Sequence, residues 1–241
     1  VTFAPTGPTP ITSPLALSAA HRASLSSFGV ERQPLLTIED AVADLALVRE
    51  IAARHAYRPI GPFYPGVRAP VSEGVAMPLV APLLPAMQRG FGLAGPPRYF
   101  ECYLSLVTVA PADLAPIQRL PHFDGVEPER IAVLLYLSDD AAGGTAFYRQ
   151  RATGFESVDA GRFDAYREAL DEQSARHGVP EACYIGERSP LFARTCKVDG
   201  AANRMIAYRG NTLHCAAPPN GFAPVADPRR GRLTLNLFLK A

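Results

Sequence analysis

From Arg98 onward the chain is a succession of short runs of β-branched, aromatic and aliphatic residues bounded by turn formers, and this limits its architecture more than any other feature. The runs are Tyr99 to Val109, Arg130 to Leu137, Thr145 to Arg149, Asn203 to Tyr208, Thr212 to Ala216 and Arg232 to Leu239. Many short strands separated by turns fold as a sandwich or barrel, so the expected class is mainly β with flanking helices. One helix interrupts the strands, over about Asp159 to His177, with Asp159 as its cap and Phe163, Tyr166, Leu170 and Ser174 along one face. Gly178 and Pro180 stop it, and His177 reads as a charge placed favourably at its carboxyl end.

The first 97 residues read differently. Pro5, Pro8, Pro10 and Pro14 exclude a long helix or central strand and predict an arm laid over the surface. Thr37-Ile38-Glu39-Asp40 resembles a capping box, and Val42, Leu45, Val48 and Ala52 follow at helical spacing, predicting an amphipathic helix through about Tyr57 with His55 packed on its apolar stripe. Residues 58–97 are rich in proline and glycine and read as an irregular segment, either a loop lining a substrate entrance or a structural cover. Within it Gly90-x-Gly92-x-x-Gly95 matches a dinucleotide fingerprint, but no strand leads in and Pro96-Pro97 follow, so it is not read as a nucleotide loop. The expected organisation is one domain over 1–241: an arm, helix and loop cover over 1–97, and a β core over 98–241 with the helical insert at about 159–178.

Charge and composition exclude several functions. Lysine plus arginine number 24 against 23 acidic residues, without basic or acidic runs, which argues against a nucleic-acid partner. Lys197 and Lys240 are the only lysines, which removes Schiff-base chemistry and the phosphate-binding Gly-Lys-Ser/Thr loop. Cys102, Cys183, Cys196 and Cys215 have no Cys-x-x-Cys spacing and read as buried thiols of a reducing compartment. No apolar run is long enough to span a bilayer, so the expected setting is the cytoplasm without a membrane partner; the sequence gives no reading of oligomeric state.

The chemistry concentrates in Leu120-Pro121-His122-Phe123-Asp124-Gly125. In an extended segment alternate side chains share a face, so His122 and Asp124 point the same way, and His214 arrives from a distant strand. Two imidazoles and one carboxylate can occupy one face of an octahedral iron(II) ion and leave positions for an organic acid, substrate and dioxygen. A His-x-Asp pair taken alone is a common pattern, and either histidine alone also reads as an ordinary surface or core residue. In Arg232-Leu233-Thr234-Leu235-Asn236-Leu237-Phe238-Leu239, strict alternation puts Arg232, Thr234 and Asn236 opposite a row of leucines. On an outer strand that polar row is merely solvated. Facing into a barrel, it presents a guanidinium to a carboxylate, with Thr234 adding a hydroxyl donor.

In order, His122-x-Asp124, Tyr136-Leu137-Ser138, Gly143-Gly144-Thr145-Ala146-Phe147, His214 and Arg232-x-Thr234 resemble the signature of iron(II)- and 2-oxoglutarate-dependent dioxygenases, nearest their prolyl-hydroxylase-like branch. The resemblance spans about residues 99–240. It implies a double-stranded β-helix, a distorted, cupin-like jelly roll with the metal near its open end. It also implies iron(II) on His122, Asp124 and His214, and the distal carboxylate of 2-oxoglutarate on Arg232 and Thr234. Tyr136 would add its phenol to that carboxylate, or serve as a core aromatic. The implied activity is hydroxylation of an unactivated C–H bond in a small molecule, a peptide or an amino-acid side chain. Tyr64, Arg68 and Tyr103 are candidates for the substrate side, where an arginine suits a carboxylate, although their spacing alone does not place them there.

The chain departs from the pattern in two ways: collagen-type members carry lysine at the position of Arg232, and the 18 positions from His214 to Arg232 exceed the usual gap. The turn-rich stretch from Pro218 to Gly231 can absorb the excess, with Arg229 and Arg230 as rivals to Arg232. Two other functional classes compete: a zinc-dependent hydrolase on the same barrel, which leaves Arg232 without a role, and a non-catalytic binding or sensor protein.

Overall fold

The computed structural model describes residues 13–139, 143–178, 180–187 and 189–241. The proline-rich arm expected at the start lies outside the described residues up to position 12. Among the described residues two antiparallel sheets face each other. The strands are β1 (Arg22–Phe28), β2 (Gln33–Glu39), β3 (Gly66–Pro70), β4 (Arg98–Val107), β5 (Arg130–Tyr136), β6 (Gly144–Gln150), β7 (Phe192–Val198), β8 (Met205–Arg209), β9 (His214–Ala217) and β10 (Leu233–Lys240). The larger sheet has the order β1-β2-β8-β5-β10-β4-β3 and the smaller β7-β6-β9. An isolated antiparallel bridge from His122 to His214 adds the 122 segment beside β9. The chain passes from β4 to the 122 segment, to β5, to β6 and β7, to β8, to β9 and to β10, crossing between sheets at nearly every step. That path is a double-stranded β-helix, the architecture implied by the resemblance.

The two faces of β10 show how the sequence chooses inside from outside. Leu233, Leu235, Leu237 and Leu239 pack with Ile131, Val133 and Leu135 of β5 and with the helical layer on the outer face of the large sheet. Tyr136, Ile206, Tyr208 and Phe238 meet Phe147 of the opposite sheet in a second, inner cluster. The alternation therefore turns Arg232, Thr234 and Asn236 toward the barrel interior. Each fully buried leucine contributes about 1.5–3 kcal/mol relative to exposure, so a register slip that exchanged the faces would be strongly disfavoured.

The helical layer consists of α1 (Leu45–Ala53), the short α2 (Glu73–Ala76) and α3 (Leu84–Gly90), linked by 3₁₀ turns. Two sequence expectations are corrected here. Thr37 does not open a helix: residues 33–39 form β2, paired on both sides by β1 and β8 and buried on both faces by Leu35, Leu36 and Ile38. Two-sided pairing overrides the local capping pattern, and the helix starts later, where the Asp44 carboxylate accepts the Leu47 amide at 2.9 Å. His55 falls beyond the end of α1, exposed, with Nδ1 on the Ile51 carbonyl at 2.9 Å rather than packed in the core. Residues 58–97 are also more regular than expected. They supply β3 and a helical cover whose Leu79, Leu83, Met87 and Phe91 are buried in the outer core.

Further along, α4 (Phe163–His177) begins four residues after the expected cap. Asp159 sits in the preceding turn, where its carboxylate accepts the Arg162 amide at 3.0 Å. Tyr166 is its buried anchor, as the face Phe163, Tyr166, Leu170 and Ser174 suggested, while Phe163 stays partly exposed and edges against Phe123. Of the cysteines, Cys102 and Cys215 are buried, but Cys196 is half-buried and Cys183 lies exposed in the 181–187 loop, which corrects the expectation of four buried thiols.

One clasp ties the edge of the large sheet to the segment that leads into β9. The Glu156 side chain is fully buried and accepts the amides of Val30 and Glu31 at the tip of the β1–β2 hairpin, both at 3.0 Å. Glu31 reciprocates, accepting the Glu156 amide at 3.1 Å, the Ser157 hydroxyl at 2.6 Å and the Arg162 guanidinium at 2.6 Å. The next residues carry the tie inward, because Leu213 donates to the Glu156 carbonyl and Val158 to the Asn211 carbonyl, each at 2.8 Å. His214 is the next residue. Gly29 is required at the tip: its φ is +69°, and a Cβ there would lie 2.0 Å from the Glu156 carboxylate.

Burial raises the pKa of Glu31, but the hydrogen bonds from Ser157, the Glu156 amide and Arg162 outweigh it and leave the group below its ordinary 4.5. A depressed carboxylate stabilises the fold above its unfolded pKa and loses that contribution as pH falls through the folded value. Urea titrations should therefore find Glu31→Gln less stable than the parent at neutral pH, with the gap closing below about pH 4. A gap that stayed constant with pH would show that the clasp does not depend on this charge.

Candidate metal and cosubstrate site

The 120–124 segment is extended, and its backbone fixes the site before any ligand arrives. His122 and His214 exchange both backbone hydrogen bonds, each at 2.8 Å, and the Asp124 amide donates to the Gly210 carbonyl at 2.8 Å. The histidine rings stand 4.3 Å apart between centroids. One ligand atom from each of His122, Asp124 and His214 lies within 4.8 Å of the other two, and this is a group that could hold a metal ion. Nε2 of His122 is 3.8 Å from Oδ1 of Asp124, and Nε2 of His214 is 3.5 Å from Oδ2.

The donor set suits a cation. Nδ1 of His214 is 2.8 Å from the Thr212 carbonyl, so that nitrogen carries the proton and Nε2 keeps its lone pair for the site. Oδ2 of Asp124 is buried with no hydrogen-bond partner, an acceptor left without a donor. Burial raises the Asp124 pKa, against lowering by His214, Arg130 and Arg68. For His122 the surrounding protein, then His214, then Arg68 push the pKa well below the ordinary 6.5. With 57% of its side chain exposed, water offsets part of that push. A neutral imidazole is the form that binds metal.

Deeper in the barrel Arg232 is 5% exposed, donates to the Gly144 carbonyl at 2.9 Å, and leaves Nε buried without a partner. Its rivals face outward: Arg229 pairs with Glu50 at 3.0 Å on the surface, and Arg230 is exposed. Tyr136 is buried with its hydroxyl 2.8 Å from that of Thr145, and the Arg232 charge bears on its phenol. Thr234 points inward as the alternation requires, but its hydroxyl is taken by Asn236 at 2.6 Å instead of standing free. The three substrate-side candidates also come together, with the Arg68 guanidinium 4.2 Å from the Tyr64 ring centroid and 5.3 Å from that of Tyr103.

Sequence reasoning missed Tyr208. Its ring packs edge-on against His214, 4.8 Å between centroids, and its hydroxyl is buried without a partner. Burial, then the charge of Asp124, hold its pKa well above the ordinary 10.0, so it remains a neutral donor. The alternation of β8, which turns Ile206 and Tyr208 to the same face, was the signal available in the sequence.

Fold and site together define a double-stranded β-helix with a His-x-Asp…His cluster at the mouth and an inward arginine below it. Residues 19–239 match the model of the Family of unknown function (DUF6445), and the chain belongs to that family. No curated protein matches the sequence. Among solved structures, HygX from Streptomyces hygroscopicus, with nickel, 2-oxoglutarate and hygromycin B bound, is similar over 87% of this chain and 83% of its own, at 14% identity and a TM-score of 0.48. AviO1 from Streptomyces viridochromogenes Tue57 is similar over 92% and 89%, at 11% identity and a TM-score of 0.44. An N-substituted L-amino acid dioxygenase from Burkholderia ambifaria AMMD is similar over 90% and 94%, at 12% identity and a TM-score of 0.41.

If the cluster is a metal site, Asp124→Ala and His214→Ala should each weaken nickel(II) or anaerobic iron(II) binding by more than the roughly 10–100-fold that loss of an outer partner costs. Calorimetry showing unchanged affinity in either variant would remove the residue from the ligand set.

Proposed function

We propose that the protein is an iron(II)- and 2-oxoglutarate-dependent oxygenase of the prolyl-hydroxylase-like type, hydroxylating an unactivated C–H bond of a small molecule, a peptide or an amino-acid side chain. The observation that carries this reading is the convergence of His122, Asp124 and His214 above a buried arginine with unmet hydrogen-bonding capacity. In this reading the two histidines and Asp124 hold iron(II). Arg232 takes the distal carboxylate of 2-oxoglutarate, with the Tyr136 phenol beside it and Thr234 free to help once its hydroxyl leaves Asn236. A zinc hydrolase on the same ligands would leave Arg232 idle, and burying a guanidinium whose Nε is unmet for no purpose is costly.

The bound iron would supply dioxygen activation coupled to oxidation of 2-oxoglutarate. The overall change is balanced: dioxygen, 2-oxoglutarate and R–H give succinate, carbon dioxide and R–OH. The chain's own part is orientation and exclusion of water. Arg232 fixes the far end of the cosubstrate. The Thr212 carbonyl orients the His214 ring, and the inner cluster of Tyr136, Phe147, Ile206 and Phe238 keeps the floor of the barrel dry. Tyr208, packed on the His214 ring, offers a neutral hydroxyl that can donate to a ligand's carboxylate oxygen without adding charge.

Loss of the Arg232 pair should weaken 2-oxoglutarate by about 2–5 kcal/mol, the cost of truncating one partner of a buried charged pair. Calorimetry on nickel-loaded protein should show this for Arg232→Ala with metal affinity preserved, whereas Arg229→Ala should bind the cosubstrate normally. With iron(II), ascorbate and 2-oxoglutarate in air, the parent protein should release succinate above a metal-free control, and Asp124→Ala should not. Failure of the metal-loaded parent both to bind 2-oxoglutarate and to release succinate would move the assignment to a binding or sensor protein.

A further inference from the structure

Arg68 is an inward-facing charged group that the proposed oxygenase chemistry leaves unused. It lies on β3 opposite Ser105 of β4, and Ser105 and Tyr103 occupy the β4 face that turns toward the inner cluster. Ser105 in turn lies opposite Thr234 of β10, so Arg68 belongs to the row that faces the barrel interior, and its charge reaches His122 and Asp124. Its guanidinium is held against the Tyr64 and Tyr103 rings, a stacking that costs it little of its donor capacity. Among the described residues no carboxylate lies within 4.0 Å of it. Glu101, on the same face, is instead engaged by the Tyr103 hydroxyl at 2.9 Å. Nε of Arg68 is buried without a hydrogen-bond partner, and the buried hydroxyls of Tyr64 and Ser105 face each other beside it with no other partner.

A planar cation with an unmet Nε and two neutral hydroxyls beside it is the complement of one planar carboxylate. In the proposed oxygenase iron(II) and Arg232 are matched by Asp124 and the two carboxylates of 2-oxoglutarate, while Glu101, on the Tyr103 hydroxyl, makes no ion pair with Arg68. Among the described residues Arg68 is left without an ion partner, and its charge reaches His122, the most exposed of the three ligands.

We propose that Arg68, stacked on Tyr64 and Tyr103, docks a carboxylate of the primary substrate, which makes the substrate class a small organic acid or an amino acid presented through its carboxylate. This rests on the oxygenase reading, and the test separates the two. Nickel-loaded protein saturated with 2-oxoglutarate would be mixed with hexanoate or phenylacetate, each beside its neutral amide. Broadening of the probe's NMR signals by the paramagnetic metal reports binding near the site.

The expected result is broadening of the acids at about 10 mM and at least about 10-fold weaker binding of the amides. Arg68→Gln should lose that preference and Arg68→Lys keep part of it, while both bind nickel and 2-oxoglutarate within about threefold of the parent. Equal binding of acid and amide, no binding of either acid, or an acid preference that survives Arg68→Gln would overturn the proposal and leave the oxygenase reading standing. So would a loss of 2-oxoglutarate affinity in Arg68→Gln as large as that of Arg232→Ala, since Arg68 would then serve the cosubstrate. A parent protein that bound no 2-oxoglutarate would overturn both.

Discussion

The two hydrogen bonds exchanged between the backbones of His122 and His214 are the constraint on which the rest of the site depends. They join residues far apart in sequence at a fixed register and bring two imidazoles side by side. Because alternate residues share a face, Asp124 follows His122 into the same space. That register is held from both sides: Asp124 is tied to Gly210 through its amide, and the residues before His214 are tied to Glu156 and, through it, to the β1–β2 hairpin. The strands added at the edge of the large sheet thus work as an outer brace for a small cluster on the opposite sheet.

Polar groups left unpaired inside a protein cost about 1–3 kcal/mol each, and native folds retain few of them. Here Asp124, Arg232, Tyr208 and Arg68 carry such groups around one space. The leucine rows of β10 and β5 and the helical cover supply the burial that offsets that cost. A cluster of unmet donors and one unmet acceptor in a well-packed barrel is the arrangement expected of a site preorganised for ligands that are themselves charged: a cation at the mouth and carboxylates below and beside it.

Much of this was legible in the sequence because it is written in alternation. The inward row Arg232, Thr234 and Asn236, the shared face of His122 and Asp124, and six of the ten strands follow from a period of two with turns between. What failed, failed for physical reasons. The capping pattern at Thr37 is local, whereas β2 is decided by pairing with β1 and β8, which no local pattern reports. β3 hides in a segment dominated by proline and glycine, and β1 is largely exposed, so its sequence lacks the apolar alternation that marks a strand. Tyr208 was passed over because an aromatic in a strand reads as core, and only its packing against His214 and its unpartnered, buried hydroxyl distinguish it. Arg229 and Arg230 could not be ranked decisively against Arg232 until their directions were known: outward to Glu50 and solvent for the first two, inward to Gly144 for the third.

The most direct test of the account is a crystal structure of the protein with nickel(II) and 2-oxoglutarate, read by anomalous scattering at the nickel edge. The account predicts one strong metal peak bonded to Nε2 of His122, a carboxylate oxygen of Asp124 and Nε2 of His214, with the distal carboxylate of 2-oxoglutarate on Arg232. Metal bound elsewhere, or 2-oxoglutarate ordered away from Arg232, would contradict it.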